Sequence, residues 1–175
     1  MLDISIAYNR YKFAGHEFLT WLWFIIEKDP DQIKDATNAP VELDMGNRIV
    51  LENSRREAIE TITIKGNESE LEEGRLALSN GAVVTEMALL CRINDRLWTF
   101  NLKGESLDVS GLKLPEIEEG ENTDDLEGTI LLRMDGYETI IAFIHHMFKT
   151  FLKLRIADQW KKKTVPAIRR WVSTV

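Results

Sequence analysis

The side chains in this 175-residue sequence whose types and spacing best suit a chemical task are cations near the carboxyl terminus. Within residues 149–175, Lys149, Lys153, Arg155, Lys161, Lys162, Lys163, Arg169 and Arg170 face Asp158 alone, a net charge of +7. The preceding residues hold 14 Lys and Arg against 28 Asp and Glu, a net of −14, so the whole chain carries −7. Gathered cations neutralise phosphates and release condensed counterions, which gives affinity without sequence preference. A basic tail on an acidic body is a polyanion-binding pattern, and the acidic total argues against a protein that coats nucleic acid over its whole surface. The plain alternative is a cationic helix end that solubilises itself and neutralises the body. Trp160 and Trp171 interleave with the cations. Tryptophans can stack on single-stranded bases, but Trp160, Ile168 and Trp171 stand near helical spacing, which predicts core anchors with the cations on the opposite, wet face.

Other reactive types are poorly arranged. His145 and His146 are chain neighbours; in a helix they point about 100° apart and do not share one ion, so one packed and one exposed histidine is expected. Cys91 lies in an apolar strand-like run and reads as a buried structural thiol. The carboxylates between Glu116 and Glu127 repel one another into solvent. No glycine-rich phosphate loop of either common spacing occurs, nor a metal-nuclease pattern of strand carboxylates followed by Asp/Glu-x-Lys. No catalytic residue, metal ligand or cofactor is nominated, and the reading is not an enzyme.

The scaffold that carries the cations is set by length and periodicity. The length predicts one domain over residues 1–175, with a basic helical segment over 149–175. With 44% hydrophobic and 29% charged residues the composition is that of a globular chain. One cysteine cannot form an internal disulfide, in agreement with a reducing compartment. The longest apolar run, Phe18 to Ile26, is too short to span a membrane and lacks a signal-peptide pattern, so a cytoplasmic protein is expected.

Residues 1–15 read as a lead-in, and 16–28 as a helix apolar nearly all round, stopped at Asp29-Pro30. Gly46-Asn47 reads as a hairpin turn between strands at 41–45 and 48–52, and Ile62 and Ile64 mark a half-buried strand. A helix over 69–79, with Leu71, Leu76 and Leu78 inward, has Ser69 and Glu72 as a capping box and Gly81 as its terminator. Asn94-Asp95 turns a second hairpin of 82–93 with 97–102, and Leu107, Val109 and Leu112 suggest a short edge strand. Apolar residues from Leu126 to Leu154 recur every three or four positions, a long amphipathic helix with a break suggested at Asp135-Gly136. A last helix near Thr164 buries Ile168, Trp171 and Val172. The class is α+β: a mainly antiparallel sheet of two hairpins, packed with an N-terminal apolar helix and long C-terminal helices.

The ordered pattern over residues 15–152 resembles the C-terminal half of the recombination-associated RdgC family of bacterial nucleoid proteins. Gly15-His16-Glu17-Phe18-Leu19-Thr20-Trp21-Leu22-Trp23 resembles a Phe-Leu-x-Trp-Leu-Trp element of some members. Val41-Glu42-Leu43-Asp44 through Ile49-Val50-Leu51 is similar to the family's strand pair, and Ile62-Thr63-Ile64-Lys65-Gly66-Asn67-Glu68-Ser69 stands where the family runs from strand through a basic turn into an acidic helix. Asn80-Gly81-Ala82-Val83-Val84, Ala88-Leu89-Leu90 and Trp98-Thr99-Phe100-Asn101-Leu102 resemble its glycine turn and hairpin. The resemblance implies a ring-like homodimer with a basic hole that binds duplex DNA without marked sequence preference and restrains recombinase action. Lys65 and Asn67 occupy the basic-turn positions, with Gly66 in place of a second cation. Family members are longer, and their N-terminal half has no counterpart in this sequence. The expected DNA contacts are therefore Lys65, Asn67, Arg155, Lys161, Lys162, Lys163, Arg169 and Arg170, with no membrane partner.

Overall fold

The computed structural model describes residues 4–35, 40–55, 58–65, 68–116 and 123–174. The first helix, α1 (Ile4–Lys28), supplies the largest share of the core: Phe18, Leu19, Trp21, Leu22, Trp23 and Ile25 are all buried. It begins twelve residues before the expected start at His16, and Gly15 lies inside it. The glycine serves a close approach instead of a helix start. A Cβ at Gly15 would fall 1.6 Å from the carbonyl oxygen of Gly104. After a short α2 (Asp31–Asp35) come β1 (Val41–Arg55) and β2 (Ala58–Lys65), then α3 (Glu68–Ser79).

Gly46-Asn47 does not turn the chain. β1 runs straight through it, pairing with β3 (Val83–Ile93) from Val41 to Glu52, and the register slips between Met45 opposite Leu89 and Ile49 opposite Met87. A bulge of this kind absorbs extra residues without ending the strand. The long β3 offers both halves of β1 one partner, and Gly46 lies so close to Ala88 that a Cβ would stand 2.7 Å from the alanine methyl. The first hairpin instead joins β1 to β2, with Arg55 opposite Ala58.

The second hairpin forms as its sequence requires. β3 returns as β4 (Arg96–Lys103) through Asn94 and Asp95, both at positive φ, the pairing favoured by a two-residue turn. β5 (Val109–Lys113) closes an antiparallel sheet of order β2-β1-β3-β4-β5. Met87, Leu89 and Cys91 face the core opposite Leu102, Phe100 and Trp98. α3 begins at Glu68, so Ser69 lies inside the helix and not at its N-cap position. Its inward stripe is Leu71, Gly74, Arg75 and Leu78, set by the contact of Gly74 with Trp23, which leaves Leu76 exposed. Gly81, at φ 92°, ends the helix as expected.

α4 (Thr123–Ile156) runs 34 residues without a break. Gly136 is a docking point in its middle: the Trp98 indole N–H donates to the Gly136 carbonyl at 2.9 Å, and a Cβ there would crowd Leu114 at 3.2 Å. The C-terminal half buries Ile144 and Phe151 and packs on α1, where Phe18 meets Phe148 edge-on at 5.2 Å and Phe151 at 5.6 Å. The N-terminal half differs from the expected amphipathic core helix, because Leu126, Ile130, Met134, Tyr137 and Ile141 are 38–57% exposed. A π-helical turn (Trp160–Thr164) and α5 (Val165–Val172) complete the chain. The fold is α+β. Among the described residues no helix is long and apolar enough to cross a membrane.

Candidate nucleic-acid interface

The basic end is built by two anchors. Trp160 is buried, edge-on to Phe151 at 5.5 Å. Trp171 is buried as well, edge-on to Trp23 at 5.2 Å and to Phe24 at 5.7 Å. Between them the backbone widens into the π turn, in which the Val165 N–H donates to the Trp160 carbonyl. Pro166 is tolerated because it falls at the start of α5, where helix N–H groups lack intrahelical partners. Rings placed in this way cannot stack on bases.

The α5 anchor is clamped by one carboxylate. Glu27 on α1 accepts the indole N–H of Trp23 at 2.6 Å, the indole N–H of Trp171 at 2.9 Å and a guanidinium N–H of Arg75 at 3.2 Å. Three helices, α1, α3 and α5, therefore meet at a single side chain.

With the rings inside, the cations stand outside. Lys161, Lys162, Lys163, Arg169 and Arg170 are exposed, as are Lys149 and Lys153 on the last turns of α4. Lys162 reaches Asp158 at 2.8 Å, a pair in which both side chains are largely in water and whose contribution is small. Arg155 differs from the rest. Its guanidinium is held by both oxygens of Glu17 on α1 and lies over the Trp160 ring at 5.6 Å from the centroid, so it acts as an internal tie.

The structure does not bring Lys65 to this group. Side chains alternate along a strand, and Ile64 next to it is in the core, so Lys65 leaves the sheet on the face opposite the helices. Its cross-strand partner there is Arg48, itself paired with Glu86. Asn67 lies outside the described residues. Arg48 was not singled out from sequence, since only the β1–β2 register reveals it; Lys149 and Lys153 were visible only as part of the charge count.

The other reactive side chains singled out from the sequence are Cys91, His145 and His146. Burial pushes the Cys91 thiol up to about 12, so it stays protonated near neutral pH and is a poor nucleophile. His145 and His146 are both exposed, a departure from the expected packed-and-exposed pair, because α4 turns that face away from the body. Among the described residues no three His, Cys, Asp or Glu side chains are placed to hold a metal ion. No family model matches this chain, and no curated protein does.

Proposed function

We propose that this chain is a non-catalytic protein of the RdgC type that binds duplex DNA without sequence preference through the outer surface of its C-terminal helical end. The observation that carries the reading is the segregation of that end: both tryptophans buried, and Lys161, Lys162, Lys163, Arg169 and Arg170 exposed within ten residues of chain. Such a surface reads phosphates and not bases. The acidic remainder, at −14, confines contact to one side and keeps the affinity modest. Occupied backbone is withheld from a recombinase, which is how a nonspecific binder of this kind restrains one.

A titration of duplex DNA at several salt concentrations tests the reading. Five phosphate contacts give a slope of log K against log salt of about −4.5, and replacing Lys161, Lys162 and Lys163 by glutamate flattens it by roughly 2–3 for every sequence alike. Arg155→Gln leaves the slope unchanged, because Glu17 already holds that side chain. Absence of binding at low salt, or binding indifferent to salt, would refute it. A second reading, a protein-interaction module, is favoured by the exposed apolar stripe of α4.

A further inference from the structure

The outward face of α1 is left partly open by the end of the chain. Phe13, His16, Glu17 and Thr20 follow the spacing of a single helix face, on the side away from the buried Phe18, Trp21, Leu22 and Ile25. Phe24, one turn further along that face, is covered by Trp171. Before it, the π turn and the start of α5 pass over α1 without filling the space. A cleft of about 330 Å³ remains, walled by Trp160, Val165 and Ile168, with Val83 of β3 beside them. Widened turns of this kind recur at functional sites in helices. Phe13 and Val83, at the rim, are 46% and 39% exposed, so apolar surface stands ready to leave water when the cleft is occupied.

We propose that this cleft binds a small monocarboxylate with an apolar tail, the tail lying against Trp160, Val165 and Ile168 and the carboxylate meeting the Arg169 guanidinium. The size follows from the volume. At about 30 Å³ per water the space holds about ten waters, which matches an acid of about ten non-hydrogen atoms. The sign of the charge follows from the polar groups. Glu17 is the one carboxylate on the wall of the cleft, and both its oxygens are engaged by Arg155. The Thr20 hydroxyl donates to the His16 carbonyl. Arg169 also lines the cleft, is exposed, and has no ion pair among the described residues. A guanidinium without a partner beside an apolar wall suits an anionic head on an apolar tail and repels an ammonium. Lys161, Lys162 and Lys163 belong to the neighbouring turn but do not line the cleft, so one cation is matched by one anionic group. The inference does not rest on DNA binding.

A titration of the whole chain with octanoate, followed by the indole N–H signals in two-dimensional NMR, tests it; octanol, octylammonium and butyrate are run in parallel. A saturable shift of the Trp160 signal with a Kd below about 1 mM is expected. The Trp98 signal should stay still, because that indole is buried and bonded to Gly136. Octanoate should bind more tightly than octanol, although octanol is the more readily expelled from water; an unspecific apolar surface gives the reverse order. Arg169→Gln should weaken octanoate about fivefold and leave octanol unchanged. Val83→Trp, which narrows the cleft from an exposed position, should weaken both roughly tenfold. Melting followed by circular dichroism checks that each variant is folded. Butyrate, which lacks the tail, and octylammonium, which has the wrong charge, should not saturate the Trp160 shift. No saturable shift by about 3 mM octanoate overturns the proposal. Octanol or octylammonium bound as tightly as octanoate overturns it equally, as does an affinity that neither substitution lowers.

Discussion

Replacing Glu27 by alanine removes the one acceptor shared by Trp23, Trp171 and Arg75. Hydrogen bonds to a charged group are worth about 1.5–3 kcal/mol each in net terms. The three do not add, because the indole N–H groups can turn partly to water once α5 loosens. Arg75 cannot: its side chain is only 15% exposed, and its other carboxylate, Glu72, stands at 3.8 Å. Breaking a buried pair by deleting one partner costs about 3–5 kcal/mol, and the residual exposure of this one lowers the figure to roughly 3 kcal/mol. For a chain of this size that corresponds to a fall in Tm of about 6–12 °C. Glu27→Gln keeps one acceptor oxygen but turns an amide donor toward other donors, so its loss is about two-thirds as large. Thermal unfolding followed by tryptophan fluorescence measures the cost, and amide exchange over residues 165–172 locates it. A Tm within 2 °C of wild type, or a lower Tm with exchange in α5 unchanged, would show that Glu27 does not clamp the helix.

Gly15→Ala drives a methyl into the Gly104 carbonyl, and because both are backbone-bound the helix itself must move; a loss of about 3 kcal/mol or more is expected by urea denaturation. Trp98→Phe removes the bond to Gly136 and part of the ring, and should cost about 2–3 kcal/mol while leaving α4 helical by circular dichroism. Cys91 should resist a thiol reagent at pH 8 in the folded chain and react once urea unfolds it. The linked pH effect has a definite sign. Below pH 9 the thiol is protonated in both states and stability is full; between pH 9 and about 12 only the unfolded chain ionises, so stability falls as pH rises. A shallower decline through that window in Cys91→Ala than in wild type checks the assignment.

The parts of the fold legible in the sequence were those dictated by local chemistry. Asn94-Asp95 tolerates positive φ, so its hairpin was fixed at short range, and Trp98 and Phe100 fell on one face because a strand alternates. Gly15, Gly46 and Gly136 were misleading, since each looked like punctuation and each is instead a point where two distant segments nearly touch. Such approaches depend on tertiary packing that no local pattern encodes. The site shows the same division. Helical spacing placed Trp160 and Trp171 in the core and the lysines outside. The capture of Arg155 by Glu17, 138 residues away in the chain, and the separation of Lys65 from the other cations, depend on which faces the sheet turns to its helices.

The five-residue turn that carries Lys161, Lys162 and Lys163 has a consequence for how the tail can vary. A wide turn holds one residue more than an ordinary helix over the same span, and each residue in a helix rotates the chain beyond it by about 100°. Deleting any one of the three lysines would remove a single charge and let the turn close to an ordinary helical one over the same span, so that Trp171 stays on Glu27; inserting a residue into the already widened turn would instead swing Trp171 off Glu27 and carry Arg169 and Arg170 to another side. The lysine run is therefore tolerant of exchange and of losing one residue, and intolerant of lengthening: the spare residue of the wide turn is what keeps the phase of the last helix, independently of its charge.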